Sequence, residues 1–358
     1  MEFRDHIISR MLRMVAGILG IALLLLLLTF AFFYLKSPPD AGEPIAEAWQ
    51  IPYPTVVAHR GASWVAPEST APAYELARDM GAHYLEADLQ RTRDGVVVAF
   101  HDRTLARTTS VEEVFPERAN DPFETFTHDE LMELDHGSWF NVAFPGRACD
   151  SYEGLAPVTL EELITIAEEG SNNPGLYLET KDAERYPGIE EDILEILRNA
   201  GWYPDPPTLD APDAALNERF GASSVDVASG PARIIVQSFS ASSVDSLVTL
   251  IPDLPVVYLI SRRMADADGF RFHLDRAVEM GAAGVGPDGH LGFPWHTRQA
   301  HARDLLVHHY TINEPWQMRL LRRFGGDGIF TDRPAVALET YGWADQVDVD
   351  AILDQRGY

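Results

Sequence analysis

Short β-branched runs alternate with amphipathic segments along most of the chain. Runs suited to strands lie at 55–58 (TVVA), 83–89, 96–100 (VVVAF), 175–180 (GLYLET), 233–238 (RIIVQS), 255–260 (PVVYLI), 283–286, 305–311 and 328–331 (GIFT). Between most of them the apolar positions recur at helical spacing, as in STAPAYELARDMG, TLEELITIAEEG and IEEDILEILRNAG. The first of these opens on Ser69 or Thr70 as cap and stops at Gly81. One connection is too short for a crossover: six residues, including Arg93-Asp94-Gly95, separate 89 from 96. Those two strands therefore form a hairpin with a turn glycine. Setting the return strand aside leaves eight strands joined mostly by helices. The pattern predicts an α/β fold, a TIM (β/α)8 barrel with an extra β-hairpin, with an open doubly wound sheet as the alternative.

The N-terminus departs from this rhythm. Residues 15–35, VAGILGIALLLLLLTFAFFYL, carry no charge, and at about 1.5 Å per residue they span about 30 Å, the thickness of a bilayer core. Arg4, Arg10 and Arg13 precede the run, and acidic residues follow Lys36. The positive-inside bias predicts a cytoplasmic N-terminus at 1–14, a transmembrane signal-anchor helix at 15–35 and an extracytoplasmic catalytic domain, periplasmic or at the cell surface. A cleaved signal peptide is the rival; Ala46-Glu47-Ala48 has its small-x-small pattern but lies eleven residues past the apolar run. Residues 36–54, rich in Pro, Ala and acids, read as a linker, 55–340 as the barrel domain and 341–358 as a C-terminal tail. Two longer polar segments, 102–157 and 202–231, read as insertions, the first placed to cover a barrel mouth.

The net charge of −27 argues against a nucleic-acid partner, which calls for a basic groove. A single cysteine, Cys149, excludes an intrachain disulfide. Only two lysines occur, Lys36 and Lys181, which singles out the second.

Candidate chemistry sits where barrel enzymes build their sites, at the C-terminal ends of the strands. These ends read His59-Arg60-Gly61, Glu86-Ala87-Asp88, His101-Asp102 and Glu179-Thr180-Lys181. Alternation along a strand puts Glu86 with Asp88 on one face, and Glu179 with Lys181, leaving Leu85 and Leu89 for the helix side. Three converging carboxylates repel one another unless a cation lies between them, and oxygen donors suit one divalent cation, Ca²⁺ or Mg²⁺, rather than zinc. Arg60 and Lys181 then offer positive charge to an anion such as a phosphate, and His59 and His101 can move protons on either side of it. Glu68 either supports this site or caps the following helix.

AHRGASWVAPEST, LEADLQRTRDGVVVAFHDRTLARTT and GLYLETK, with the later LDHGSWF, IVQSF, HHYTINE and DGIFTDRP, closely resemble the glycerophosphodiester phosphodiesterase family over about residues 54–336. The resemblance implies a metal-dependent barrel hydrolase that cleaves glycerophosphodiesters to sn-glycerol 3-phosphate and an alcohol. It implies His59 and His101 as the acid/base pair, Glu86, Asp88 and Glu179 as metal ligands, and Arg60 and Lys181 as phosphate contacts. Glu68, Gln237 and Tyr310 are supporting candidates. Ser69 and Tyr310 depart from the family's usual Asn and Trp. A hydroxyl neighbouring the ester allows a cyclic phosphate route; direct attack by water is the other. Lysophospholipase D activity, with Trp139 and Phe140 against an acyl chain, and a tethered non-catalytic binding role are the alternatives.

Overall fold

The computed structural model describes residues 2–36, 39–203, 227, 230 and 232–358. Ten strands form one sheet: β1 (Thr55–Ala58), β2 (Tyr84–Arg91), β3 (Val97–Ala99), β4 (Val158–Thr159), β5 (Gly175–Thr180), β6 (Ile234–Ser238), β7 (Val256–Ile260), β8 (Gly284–Pro287), β9 (Leu306–His309) and β10 (Gly328–Thr331). Eight of them run parallel, in the order β1, β2, β5, β6, β7, β8, β9, β10, and the sheet closes where β1 pairs with both β2 and β10. It is a TIM barrel, and the open-sheet alternative is excluded by that closure.

The expected hairpin is β2–β3, with Leu89 opposite Ala99 and Gly95 at φ +96° in the turn. Sequence periodicity gives no sign of β4, a two-residue strand that brings the 102–157 insertion back onto β3. A capping box between Thr159 and Glu162 then starts the helix Leu160–Glu168. The insertion has its own core, in which Leu105, Val111, Phe123, Phe126, Leu131 and Leu134 pack on Val98 and Phe100 of the hairpin. The insertion expected at 202–231 lies almost entirely outside the described residues.

Alternation sorts the side chains into two cores. Leu85, Ala87 and Leu89 face outward and pack with Tyr74, Leu76 and Leu163 of the surrounding helices. Val57, Tyr84, Tyr177, Ile235, Val257, Leu306 and Phe330 fill the barrel interior. Into the lower end of that interior comes part of the segment read as a linker. Residues 43–49 form a helix, and Ala46 and Ile51 are buried among the interior residues. The apolar positions Ile45, Ala46, Trp49 and Ile51 give this otherwise acidic stretch a face to bury. The residues after 341 likewise include a helix, Val349–Arg356, whose Arg356 binds Asp79 at 2.6 Å.

One helix among the described residues, Glu2–Lys36, is long and apolar enough to cross a membrane. Its stretch Arg10–Phe32 has a mean hydropathy of 2.7, and none of it is buried against the rest of the chain.

Candidate active site

The expected site residues meet at the upper, C-terminal end of the barrel. His59, Arg60, Glu86, Asp88, His101, Glu179, Lys181, Gln237 and Tyr310 line one pocket. Register explains the convergence: Asp88 lies beside Glu179, and Glu179 beside Gln237, on three adjacent strands. The hairpin sets Phe100 N–H on the Asp88 carbonyl at 2.8 Å, so His101 arrives level with the carboxylates and turns into the same pocket.

The turn after β1 is built for close approach. Arg60 adopts φ +56° and Gly61 φ +86°, and a Cβ on Gly61 would lie 2.5 Å from the Ala73 backbone. The turn presents the Arg60 N–H to Glu86 Oε2 at 2.8 Å. The Arg60 side chain folds back between Glu68, at 2.8 Å, and Asp88, at 3.0 Å. Lys181 Nζ sits 3.2 Å from Asp88 and 3.1 Å from Glu179.

Glu68 does not cap the helix Ala71–Asp79, whose cap position is Thr70. It joins two arginines instead: Arg107, from the insertion, donates to both its oxygens at 2.9 and 2.7 Å. The neighbouring Ser69 adopts φ +57°, which asparagine tolerates better.

Each histidine has a carboxylate behind it. His59 Nδ1 lies 2.7 Å from Asp332, which also accepts from Ser63 at 3.1 Å and Asn313 at 2.5 Å. His101 Nδ1 lies 2.7 Å from Asp102, which Arg107 also binds. Burial pushes the Asp332 carboxyl up, but the His59, Asn313 and Ser63 contacts outweigh it and leave the group at about 2. Asp102 ends well below the usual range, because His101 and Arg107 likewise outweigh burial. Both carboxylates are thus ionised acceptors, which makes Nδ1 of each ring the donor and leaves Nε2 for chemistry.

From the sequence Asp102 falls at a strand end without an assigned role, and Asp332, Arg107 and Asn313 are not singled out. Asp332 and Asn313 stand in the quoted stretches DGIFTDRP and HHYTINE, but nothing in those stretches says that they back His59, 273 residues away from Asp332. Of the aromatic pair of the insertion, Phe140 is fully buried against Phe144 and Tyr152, whereas Trp139 donates to the His136 carbonyl and sets its ring 5.9 Å from the Arg107 guanidinium at the edge of the site.

Glu86, Asp88 and Glu179 are all buried, and oxygens from the three lie within 4.8 Å of one another. Burial and the nearby Asp88 raise Glu86 well above the carboxylate range. Burial lifts Glu179 to about 7 against the pull of Lys181. Asp88 goes the other way, because Lys181 and Arg60 overcome its burial, yet its Oδ2 has no well-aligned hydrogen bond. Three buried carboxylates, two of them resisting ionisation and one with an unmet oxygen, fit a hard divalent cation. Oxygens about 2.3–2.6 Å from one ion are also at most about this far apart.

The model of the glycerophosphoryl diester phosphodiesterase family matches residues 59–336. The chain belongs to this family. A glycerophosphodiester phosphodiesterase of Bacillus subtilis is 33% identical over 279 residues, covering 78% of this chain and 83% of the relative. An Oleispira antarctica phosphodiesterase, solved in complex with the product sn-glycerol-3-phosphate, has the same fold, with a TM-score of 0.60 at 24% identity. The likeness covers 81% of this chain and 97% of that one. The glycerophosphoryl diester phosphodiesterase match begins at His59 and ends just beyond Asp332, so it brackets every site residue described above.

Proposed function

We propose that this chain is a membrane-anchored, metal-dependent enzyme that hydrolyses glycerophosphodiesters to sn-glycerol 3-phosphate and an alcohol. The observation that carries the reading is the convergence of two carboxylate-backed histidines, an arginine, a lysine and three buried carboxylates on one pocket. Glu86, Asp88 and Glu179 would hold Ca²⁺ or Mg²⁺, which when bound supplies Lewis-acid charge to a phosphoryl oxygen. Arg60 and Lys181 bind the remaining anionic oxygens and stabilise the charge that builds in the transition state. One histidine takes the proton of the nucleophile through Nε2, and the other gives a proton to the departing alkoxide. Gln237, Glu68 and Arg107 hold these groups in place, and Tyr310, edge-on to Phe239 at 5.8 Å, shapes the rim.

The anchor reading has support of its own. Cleavage after Ala48 would sever the helix Glu43–Trp49 and remove the buried Ala46 from the barrel. Arg4, Arg10 and Arg13 favour a cytoplasmic N-terminus and an extracytoplasmic barrel.

The test is release of glycerol 3-phosphate from glycerophosphocholine by the full chain in detergent, with Ca²⁺, with Mg²⁺ and with chelator. Release with at least one ion, lost on chelation and restored by readdition, is the expected result; release unaffected by chelation would sink the metal reading. Asp332→Asn preserves shape but offers His59 Nδ1 a donor where it needs an acceptor. It is expected to lower kcat on the order of 10²-fold with little change in KM. An unchanged kcat would remove Asp332 from the mechanism.

A further inference from the structure

The anchor and the catalytic pocket lie at opposite ends of the barrel. Three residues beyond the helix Glu2–Lys36 the chain is fixed to the lower end: the Pro39 carbonyl accepts from Arg322 and, at 3.0 Å, from the Tyr53 hydroxyl, and Asp40 pairs with Arg322. The helix Glu43–Trp49 then plugs the interior, and Thr55 N–H binds the Asp327 carbonyl at 2.8 Å as β1 sets out upward. Pro39 is three peptide steps from Lys36, so the end of the membrane helix lies at most about 11 Å from this lower face.

The reacting groups are at the other end. At about 3.3 Å per residue Glu179 lies about 13 Å along β5 from Gly175, and the plug helix lies below that, so the pocket stands on the order of 20 Å above the lower face.

One local feature of the charge agrees with this polarity, although Glu43 and Glu47 of the plug helix are exposed at the same end. After residue 36 the chain holds 24 basic against 53 acidic side chains. Yet the groove where the anchor meets the barrel is lined by Arg319, Arg322 and Arg323 beside Pro39 and Pro54. All three arginines belong to the helix Pro315–Arg323, which has no acidic residue. Arg322 is already held by Asp40 and the Pro39 carbonyl, which leaves the exposed Arg319 beside the anchor as the residue placed to meet the phosphates of a bilayer surface.

We infer that the barrel stands on the membrane with its plugged, arginine-bearing end down and its catalytic mouth toward the water, so that its substrates are water-soluble, deacylated glycerophosphodiesters rather than lysolipids of its own bilayer. The inference rests on the anchor and hydrolase readings above. A lysolipid of that bilayer would have to leave it to reach the mouth. At about 0.8 kcal/mol per methylene, withdrawing a sixteen-carbon chain costs about 12 kcal/mol. Such a molecule reaches the pocket only as a free monomer, and the anchor gives it no advantage.

The test uses the full chain in vesicles. Cys149 is the single cysteine, so Cys149→Ser permits one label at a time. Asp253→Cys and Arg263→Cys place exposed labels just below and just above β7. A quencher attached to lipid headgroups is expected to quench the label at 253 several-fold more than that at 263. Equal quenching, stronger quenching at 263, or none at either would overturn the orientation. In the same vesicles, glycerophosphocholine in the buffer is expected to be hydrolysed, while hydrolysis of lysophosphatidylcholine follows its free concentration. Hydrolysis that follows its bilayer content would overturn the substrate assignment. If neither compound is hydrolysed while the quenching difference persists, the hydrolase reading fails and the orientation stands.

Discussion

Alanine at His59 or at His101 is expected to lower turnover of glycerophosphocholine by about 10²–10⁴-fold, the usual range for loss of a positioned general acid or base. Both rings are held by carboxylates at 2.7 Å and both line the pocket, so neither is spare. The carboxylates Glu86, Asp88 and Glu179 are untouched by either change, and metal affinity should persist; calorimetric titration of the ion checks this. On the proposed mechanism, in which both histidines serve one transition state, the two losses are expected to be less than additive in the double variant. An activated ester, whose leaving group departs without a proton, separates the roles. The variant that recovers on it has lost the acid; the variant that does not has lost the base. Retention of activity within tenfold by both variants would refute the paired assignment.

Lowering the pH from 7 to 5 is expected to cost the fold several kcal/mol. His83, His136, His308 and His309 are buried, and burial lowers them from 6.5 to about 3, 4, 3 and 4 respectively. In the unfolded chain all four bind protons below about 6.5, and in the folded chain none does until about 4. The unfolded state therefore takes up more protons in this window, and stability, intact above 6.5, falls as the pH drops. At pH 5 the loss is about 2 kcal/mol for each histidine, about 8 kcal/mol for four, against a typical total of about 5–15 kcal/mol. Urea unfolding at intervals between pH 7 and 5 checks it. Glu179, lifted to about 7 by burial, and Glu86, raised by burial and Asp88, have the opposite sign, so the titration is done with the divalent ion in excess. His309→Leu should remove about a quarter of the slope. A midpoint that does not move between pH 7 and 5 would contradict the neutral, buried state of these rings.

These four histidines illustrate a wider division. His83 and His308 stand at strand starts and interiors much as His59 and His101 stand at strand ends, and composition does not distinguish them. Strand direction does. In a parallel barrel the upper ends gather at one mouth, so residues that follow a strand's last apolar position share a site. That made His59, Glu86, Asp88, Glu179 and Lys181 legible, because each strand carries its own polarity and alternation within a few residues. Gln237 and Tyr310 were legible only through the family resemblance, and the structure places them at the upper ends of β6 and β9.

What the chain does not display locally is which distant group stands behind each of these. Asp332 reaches His59 only because β10 closes the barrel against β1, with Thr331 beside Ala58. Arg107 ties Asp102 to Glu68 only because the insertion folds back over the turn after β1. His101 enters the pocket through the β2–β3 register, and a slip of one residue would turn it away. The helix Glu43–Trp49 has too few apolar positions to announce burial, and it becomes a plug because the lower barrel interior needs side chains to fill it. Phe140, exposed by no pattern and hidden by none, is settled by packing with Tyr152 into the main core outside the barrel. The sequence by itself thus determined the eight alternating strands with their helices, the extra hairpin, the apolar N-terminal helix and the residues at the strand ends, since period and polarity are local properties. Closure, register and the folding-back of the insertion were decided by tertiary structure alone, since each depends on surfaces that meet only when the whole sheet has curved onto itself.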